Sequence, residues 1–350
     1  MNIMERLPKI KHSFIKLSYL FSVIAILSLI ACKKDKQVTD TLNTIHENDY
    51  TICADDSWAG YYEFKGHIPS FIFVYNDKAY VPRDHGMALS GDRRVYIFDG
   101  SVWTDIATSN PYPTDQFDAA FTIGSKGYVI FTNGAQHARK FYEYNLLTNV
   151  WTRKADFPGE ASGHSATFTI DSKGYVVGGE YSGDYTNETW EYNPATNTWR
   201  ERKSLSLGTS FAVGFSIDSK GYLTHGKNIF GYYSSLLEYD PATNNWTNKA
   251  GFPGIGRTKS QAFVIGSSAY AGGGTNGPGQ LLDFYKYSPA SNNWIRVDDI
   301  PASTDLYSSF SLNEKGYVVR YPGTDGNNLI RYNPRYCTTV LTGNVVNPGN

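Results

Sequence analysis

Two arginines occupy equivalent places in a tyrosine pattern that recurs along the chain. Arg83 and Arg320 are each the third residue after one of these tyrosines. A guanidinium group forms bidentate, charge-assisted hydrogen bonds with carboxylates and sulfates. If the fold brings the two side chains together, they predict an anion-binding site. The alternative is that each arginine pairs with a local acid, Asp84 or Asp325, and has a structural role.

A second group of residues could transfer protons. His164 or His225, together with Glu180, could supply a general acid–base pair, since histidine titrates near neutral pH. The alternative is that these histidines are solvated or hydrogen-bonded loop residues. They come from different parts of the chain without the spacing of metal ligands, so we predict no metal site and no cofactor.

The composition narrows the class of protein that positions these residues. The 350 residues carry 32 basic and 33 acidic side chains, so the clear basic excess of a nucleic-acid-binding protein is missing. Aromatic residues make up 15%, including 27 tyrosines, and there are 33 glycines. Aromatic side chains suit a pleated sheet and glycine suits tight turns, so the composition predicts an all-β fold.

The N-terminus is typical of an export signal. Residues 17–31 are an apolar run that ends in Leu29-Ile30-Ala31-Cys32, which resembles the bacterial lipobox. This resemblance implies that 1–31 is a lipoprotein signal peptide and that Cys32 is lipidated. Lys33 then favours the outer membrane, with the leaflet left open, and 32–50 is expected to be a flexible tether. The alternative is an ordinary signal peptide with an incidental cysteine.

Three markers repeat in step through the rest of the chain. Tryptophans lie 48, 48, 47 and 48 residues apart, at Trp103, Trp151, Trp199, Trp246 and Trp294. Six tyrosines keep the same period, at Tyr80, Tyr128, Tyr175, Tyr222, Tyr270 and Tyr317. Turns such as Asn193-Pro194-Ala195-Thr196-Asn197 precede the later tryptophans. A fixed period of this length predicts a repeat architecture, and each unit divides into four short strands.

These motifs resemble the kelch repeat. The similarity rests on Tyr175-Val176-Val177-Gly178-Gly179, on the turn before Trp199, and on the Phe-Pro-Gly that follows the tryptophan in two other units, at 157–159 and 252–254. A kelch unit is one four-stranded blade, so the resemblance implies a six-bladed β-propeller over residues 51–337, followed by a C-terminal tail, 338–350.

The two ends of the repeat region are expected to complete one blade. Aligning Trp58 on Trp199 makes the N-terminal strand the last strand of blade six. The same alignments place Cys53 and Cys337 at the first and fourth positions of one tight turn, within disulfide reach. An oxidising compartment favours the bond, so we predict a Cys53–Cys337 disulfide. The alternative is two free cysteines.

The propeller model also predicts where ligands bind. One face carries nearly identical turns, whereas the other carries irregular loops, which are where sites usually lie. Because blades six and one are neighbours, Arg320 and Arg83 are expected side by side near the central pocket. Arg257 and Tyr321 are further ligand-binding candidates on that face.

Three functions fit this architecture. The first is a monomeric, non-catalytic module that binds a glycan or an envelope protein and meets the membrane only through its lipid. The second, implied by resemblance to the sialic-acid mutarotases, is an enzyme acting on an acidic sugar at the paired arginines. The third is a galactose-oxidase-like copper enzyme, which needs a cysteine crosslinked to a ligand tyrosine. Both remaining cysteines lie at the seam of the ring, which disfavours the third.

Overall fold

A computed structural model describes most of the repeat region. The described residues are 50–53, 57–63, 71–82, 94–107, 116–133, 138–161, 163–277, 279–301, 306–320, 327–334 and 337–340. The chain divides into one compact unit of residues 51–338 and a second unit of 1–50 and 339–350. Cys32, Arg83 and Tyr321 lie outside the described residues. No helix in the described part is long and apolar enough to span a membrane.

The first three blades are separate four-stranded antiparallel sheets. Blade one contains β3 (Phe73–Tyr75), β4 (Lys78–Pro82), β5 (Arg94–Phe98) and β6 (Trp103–Ala107). Blade two contains β7 (Gln116–Ile123), β8 (Lys126–Asn133), β9 (Ala138–Asn145) and β10 (Val150–Arg153). Blade three contains β11 (Ala166–Ile170), β12 (Lys173–Val177), β15 (Thr189–Asn193) and β16 (Thr198–Glu201), with a hairpin of β13 (Glu180–Tyr181) and β14 (Asp184–Tyr185).

The last three blades continue the same order. Blade four contains β17 (Val213–Ile217), β18 (Lys220–Thr224), β21 (Leu236–Asp240) and β22 (Asn245–Lys249), with the hairpin β19 (Lys227–Asn228) and β20 (Gly231–Tyr232). Blade five contains β23 (Gln261–Ile265), β24 (Ser268–Gly272), β27 (Phe284–Ser288) and β28 (Asn293–Val297), with the hairpin β25 (Thr275–Asn276) and β26 (Gly279–Gln280). Blade six contains β29 (Leu306–Leu312), β30 (Lys315–Arg320), β31 (Asn327–Asn333) and the N-terminal strand β2 (Ser57–Glu63).

The first strands of the blades form the inner wall of a ring. β3 contacts β7, β7 contacts β11, and the series continues through β17, β23 and β29 back to β3. The predicted all-β, six-bladed propeller is therefore confirmed. The core consists of aromatic and aliphatic side chains packed between neighbouring blades, as in the cluster that joins Phe121 and Tyr128 to Val176 and Tyr192.

The N-terminal strand occupies the outer position in blade six. β2 pairs antiparallel with β31, with Trp58 opposite Tyr332, as Trp199 is opposite Tyr192 in blade three. The Trp58 indole N–H donates to the Asp298 carbonyl at 2.9 Å. Trp199, Trp246 and Trp294 make the equivalent bond to the preceding blade at 2.8–3.0 Å. Trp58 therefore has the same packing role as the other blade tryptophans.

The recurring Lys-Gly-Tyr has a packing explanation. In blade three the Tyr175 hydroxyl donates to Glu191 at 2.7 Å, and Lys173 pairs with the same carboxylate. A Cβ on Gly174 would lie 2.1 Å from the ring of Phe121 in the preceding blade. Any side chain at that position would therefore force the two blades apart.

Candidate functional site

A cavity of about 450 Å³ opens where the first strands begin. All six blades contribute to its wall, and its lining includes Phe71, Asp118, His164, Phe211, Lys259 and Ser308. Its volume falls in the range of small-molecule sites. The cavity lies on the face of irregular loops, where the sequence predicts the binding site.

Three of the lining residues are equivalent to one another. His164, Phe211 and Lys259 lie 47 and 48 residues apart, at the same distance before the first strand's phenylalanine in blades three, four and five. All three have left-handed backbones, with φ of 61°, 54° and 53°. Non-glycine residues rarely adopt this conformation, and such residues cluster at binding sites.

This backbone also determines where the first strand of blade three begins. The strand starts at Ala166, two residues after His164. Left-handed φ at His164 interrupts the extended backbone, and the N–H of the next residue, Ser165, donates to the side chain of Asp118 in blade two. The imidazole is thereby placed at the edge of the cavity.

His164 and Glu180 form a pair at this edge. His164 Nε2 lies 3.8 Å from Glu180 Oε1, and Ser210 Oγ donates to Glu180 Oε2 at 3.1 Å. The His164 ring stacks on Phe211 with centroids 3.7 Å apart, and the Lys227 ammonium lies 5.2 Å from the centre of the Phe211 ring. The structure therefore brings together the predicted residues His164 and Glu180.

The environment of His164 favours the neutral imidazole. Burial lowers the pKa of His164, and Glu180 raises it, while Lys227 and Lys259 lower it further. The net shift is below the ordinary value of 6.5. A neutral ring near physiological pH can accept a proton, as a general base must.

Asp118 is a second titratable group in the wall. It accepts hydrogen bonds from the backbone N–H of Ser165 at 3.1 Å and from the Ser165 hydroxyl at 3.2 Å. Burial raises the pKa of Asp118 to about 6, although these hydrogen bonds and the charge of Arg139 oppose the shift. The cavity thus holds a carboxyl group with a pKa of about 6 and an imidazole whose pKa lies below its ordinary value of 6.5.

Lys259 supplies positive charge at the same mouth. Its side chain is exposed, and no carboxylate among the described residues lies within ion-pair distance of its ammonium group. A lysine ammonium is a compact charge with three donors and suits an anionic ligand group.

His225 does not reach the cavity. It is buried, at 2% exposure, and its Nδ1 lies 2.7 Å from the Oγ of Ser260, which does line the cavity. Burial, and then the charge of Arg257, hold the pKa of His225 well below its ordinary value. The predicted acid–base role therefore fits His164 better than His225.

Arg257 is structural in the described arrangement. The sequence predicts it to bind a ligand, but its side chain is 0% exposed. Its two terminal nitrogens donate to the Asp283 carboxylate, both at 2.8 Å, and further bonds go to the carbonyls of Ile255 and Gly273. The guanidinium also lies over Phe252. These contacts occupy the group, so we do not place Arg257 in the ligand site.

Of the predicted pair Arg83 and Arg320, only Arg320 lies in the described part of the chain. Arg320 ends β30 and is buried, at 8% exposure. Arg83 and Tyr321 lie outside the described residues. The pairing of Arg83 with Arg320, and the ligand role of Tyr321, therefore stay predictions. No cluster of three or more possible metal ligands occurs among the described residues.

Sequence reasoning missed Asp118, Phe211 and Ser260. Register relative to the recurring phenylalanine could have found them, because Asp118, Ser165 and Ser260 are each the third residue before it and Phe211 is the fourth. Lys227 was missed because it lies in a short hairpin that the repeat pattern does not mark.

The fold and these repeats define a kelch-type six-bladed β-propeller. The family model that describes the Kelch motif matches residues 163–206, which include His164 and Glu180.

Two known proteins are similar to parts of this chain. The chain is 35% identical over 106 residues to N-acetylneuraminate epimerase of Pasteurella multocida (strain Pm70). That match covers 27% of this chain and 27% of the relative's length. The solved "Structure of YjhT" is similar in fold, with a TM-score of 0.52 and 19% identity over 61% of this chain and 73% of that one.

Proposed function

We propose that the central cavity binds an acidic monosaccharide of the N-acetylneuraminate class. The observation that carries the proposal is that three equivalent residues of blades three to five line one cavity. They provide the neutral imidazole of His164, the aromatic ring of Phe211 and the ammonium group of Lys259. Lys259 suits a sugar carboxylate, and Phe211 presents an apolar face to sugar C–H groups. The name of the partial relative, an N-acetylneuraminate epimerase, supports the same ligand class.

The binding proposal is tested by calorimetry on the exported chain. We expect N-acetylneuraminate to bind and a neutral hexose of similar size to bind more weakly. Lys259→Gln is expected to weaken binding about tenfold or more, since a hydrogen bond to a charged group contributes about 1.5–3 kcal/mol. Lys78→Gln is the matched control, because Lys78 is an exposed lysine of blade one outside the cavity lining. Equal effects of the two substitutions, or no binding by the wild type, would refute the proposal.

A second candidate is turnover of the bound sugar by anomer exchange. The His164–Glu180 pair and the carboxyl group of Asp118 favour it, because opening a cyclic hemiketal needs a base and an acid. His164 Nε2 takes the proton of the anomeric hydroxyl as the bond from the anomeric carbon to the ring oxygen breaks. The protonated Asp118 carboxyl group gives a proton to that ring oxygen, and both protons return on ring closure.

Exchange spectroscopy by NMR separates turnover from binding. We expect the wild-type protein to accelerate interconversion of the two N-acetylneuraminate anomers, and His164→Gln to abolish the acceleration while ligand binding persists. Binding without exchange in the wild type would refute turnover and leave a glycan-binding module. Loss of both binding and exchange in His164→Gln would instead make His164 a ligand-binding residue.

A further inference from the structure

Ser260 connects the cavity to a buried histidine. Ser260 lines the cavity, and His225 lies behind it at the end of β18, with Nδ1 2.7 Å from Ser260 Oγ. The other ring nitrogen, Nε2, is buried and has no hydrogen-bond partner in the described part of the chain. The imidazole ring packs nearly perpendicular to the ring of Phe252, with centroids 4.4 Å apart.

His225 occupies a position that two other blades give to glycine. Gly178 and Gly273 are also third after the recurring tyrosine, and both have φ of 63°. His225 keeps the same left-handed backbone, with φ of 62°. A side chain in this conformation is strained where glycine is not, and such strain is typical of functional sites. The imidazole therefore has a role that glycine cannot fill.

The lack of a hydrogen-bond partner for Nε2 indicates which tautomer His225 adopts. A neutral imidazole has one N–H donor and one acceptor nitrogen. Buried N–H groups without partners are rarer in proteins than acceptors with unused capacity. The proton therefore belongs on Nδ1, which donates to Ser260 Oγ and leaves a lone pair on Nε2. The positive charge of nearby Arg257 also favours a lone pair over a second proton.

This arrangement distinguishes Ser260 from other hydroxyl groups of the cavity wall. Thr167 Oγ1 donates to the Ala120 carbonyl at 2.7 Å, and Ser309 Oγ donates to the Ala262 carbonyl at 2.8 Å. Each of these hydroxyls gives its only proton to the protein. Ser260 instead accepts from His225, so its own proton remains available to the cavity.

We propose that Ser260 is a specificity-determining residue that donates a hydrogen bond to an uncharged acceptor oxygen of the bound sugar, and that His225 positions it. The proposal rests on the proposed sugar-binding function and adds a recognition contact to it. Ligands that lack an acceptor oxygen at this point bind more weakly, because the pocket then buries an unsatisfied hydroxyl group.

Calorimetry with N-acetylneuraminate tests the donor. Ser260→Ala is expected to weaken binding about fivefold to tenfold, the usual effect of one neutral hydrogen bond. Ser309→Ala is the matched control, because it removes a hydroxyl from the same wall whose proton is already bound to Ala262. Equal effects of the two substitutions would overturn the proposal. Melting temperatures of both variants show whether each one folds.

His225→Gly tests the positioning role. Glycine tolerates the backbone conformation, as Gly178 and Gly273 show, so the variant is expected to fold with a lower melting temperature. Its affinity should fall about as far as that of Ser260→Ala, and the double variant should lose no more than either single one. Wild-type affinity in a folded His225→Gly protein would overturn the positioning role.

The tautomer can be tested without any sugar. In the 15N-histidine-labelled wild-type protein, the His225 signals, assigned by their loss in His225→Gly, should show a protonated Nδ1 and an unprotonated Nε2 at pH 7. A proton on Nε2 would overturn the proposal whether or not a sugar binds. If the wild type binds no sugar but shows the Nδ1–H tautomer, the sugar-binding function fails and the His225–Ser260 arrangement stands.

Discussion

At the scale of single residues, the cavity mouth contains residues with strained, left-handed backbones, and hydrogen bonds to the neighbouring hairpins hold these residues in place. The residue before each left-handed position in blades three and four pairs with the first hairpin strand. Glu180 N–H donates to the Gly163 carbonyl at 2.9 Å, and Lys227 N–H donates to the Ser210 carbonyl at 3.0 Å. Residues in this conformation cost about 1–3 kcal/mol and persist only where surrounding contacts fix them. The short hairpins thereby hold His164 and Phe211 in place.

The first prediction concerns the stack of His164 on Phe211. Phe211→Ala should raise the pKa of His164 toward its ordinary value, because burial is the main cause that lowers it. The neutral, proton-accepting form then exists only at higher pH, so any anomer exchange should lose rate at a less acidic pH than in the wild type. NMR titration of the His164 ring protons measures the shift. Phe230→Ala, at an exposed hairpin tip, is the control and should leave this pKa unchanged.

The sequence gives information about the residues at the cavity mouth through the repeat period of 47 or 48 residues. Because the repeat gives the position of every residue within its blade, it shows that His164 and Lys259 are at equivalent positions, four residues before the phenylalanine of the first strand. It does not show which side chains are buried, since Arg257 and Lys259 are two residues apart and only Arg257 is enclosed by Asp283 and Phe252. That difference depends on contacts made by a distant loop.

At the scale of elements, the blades are joined by the side chains that mark the repeat. The turn asparagine Asn197 has left-handed φ of 52° and accepts from the Tyr192 hydroxyl at 2.9 Å and from the Ala155 N–H of the preceding blade at 3.0 Å. Asn244 and Asn292 repeat both contacts. A conserved geometry of this kind gives each interface between these blades the same hydrogen bonds.

The second prediction concerns the buried carboxylate of blade three. Burial raises the pKa of Glu191, but hydrogen bonds from Tyr175 and Lys173 and the charge of Arg202 outweigh it, so the pKa lies below the ordinary 4.5. A lowered pKa stabilises the fold at pH values above 4.5, and this stabilisation is lost as the pH falls through the folded-state pKa.

Glu191→Gln should therefore lower the free energy of unfolding by about 1–3 kcal/mol at pH 7, because buried partners lose a charged acceptor. The difference from the wild type should shrink as the pH drops below 4.5. Urea unfolding between pH 3 and pH 7 measures both quantities. Glu201→Gln, at an exposed position of β16, is the control. A constant difference across the pH range would contradict the assigned role.

Elements were predictable in proportion to how strictly they repeat. The four strands of a blade follow from turns and aromatic markers that recur every 47 or 48 residues. The hairpins β13–β14, β19–β20 and β25–β26 have strands of two residues and no shared sequence, so periodicity could not reveal them. The bulge between Phe117 and Ala119, which carries Asp118, was hidden for the same reason.

At the scale of the whole molecule, the ring is completed by chain segments from both ends of the repeat region. β2 from the N-terminal side supplies the outer strand of blade six, and β1 (Tyr50–Cys53) pairs with β32 (Cys337–Val340). Lipidation of Cys32 and an outer-membrane location stay predictions of the sequence. Opening the ring would expose the aromatic surfaces of blades five and six, where Trp58 packs against Phe263 and Phe284.

The third prediction is the Cys53–Cys337 disulfide. Cys53 ends β1 and Cys337 begins β32, and these two strands are paired. Cys337 also aligns with Asn197, the turn residue that bonds the adjacent blade in blade three, so a covalent bond would strengthen the seam where that asparagine is missing. Closing so long a loop contributes about 5 kcal/mol in the chain-entropy model.

Alkylation and intact-mass measurement of the protein should find neither the Cys53 thiol nor the Cys337 thiol free before reduction and both free after it. Cys53→Ser, Cys337→Ser and the double variant should show equal losses of thermal stability, because each of the three removes the same single bond. Reduction should destabilise the wild type by a similar amount and leave the variants unchanged. Two alkylatable thiols in the unreduced protein, or additive losses in the double variant, would show that β2 and its aromatic contacts close the ring without a covalent bond.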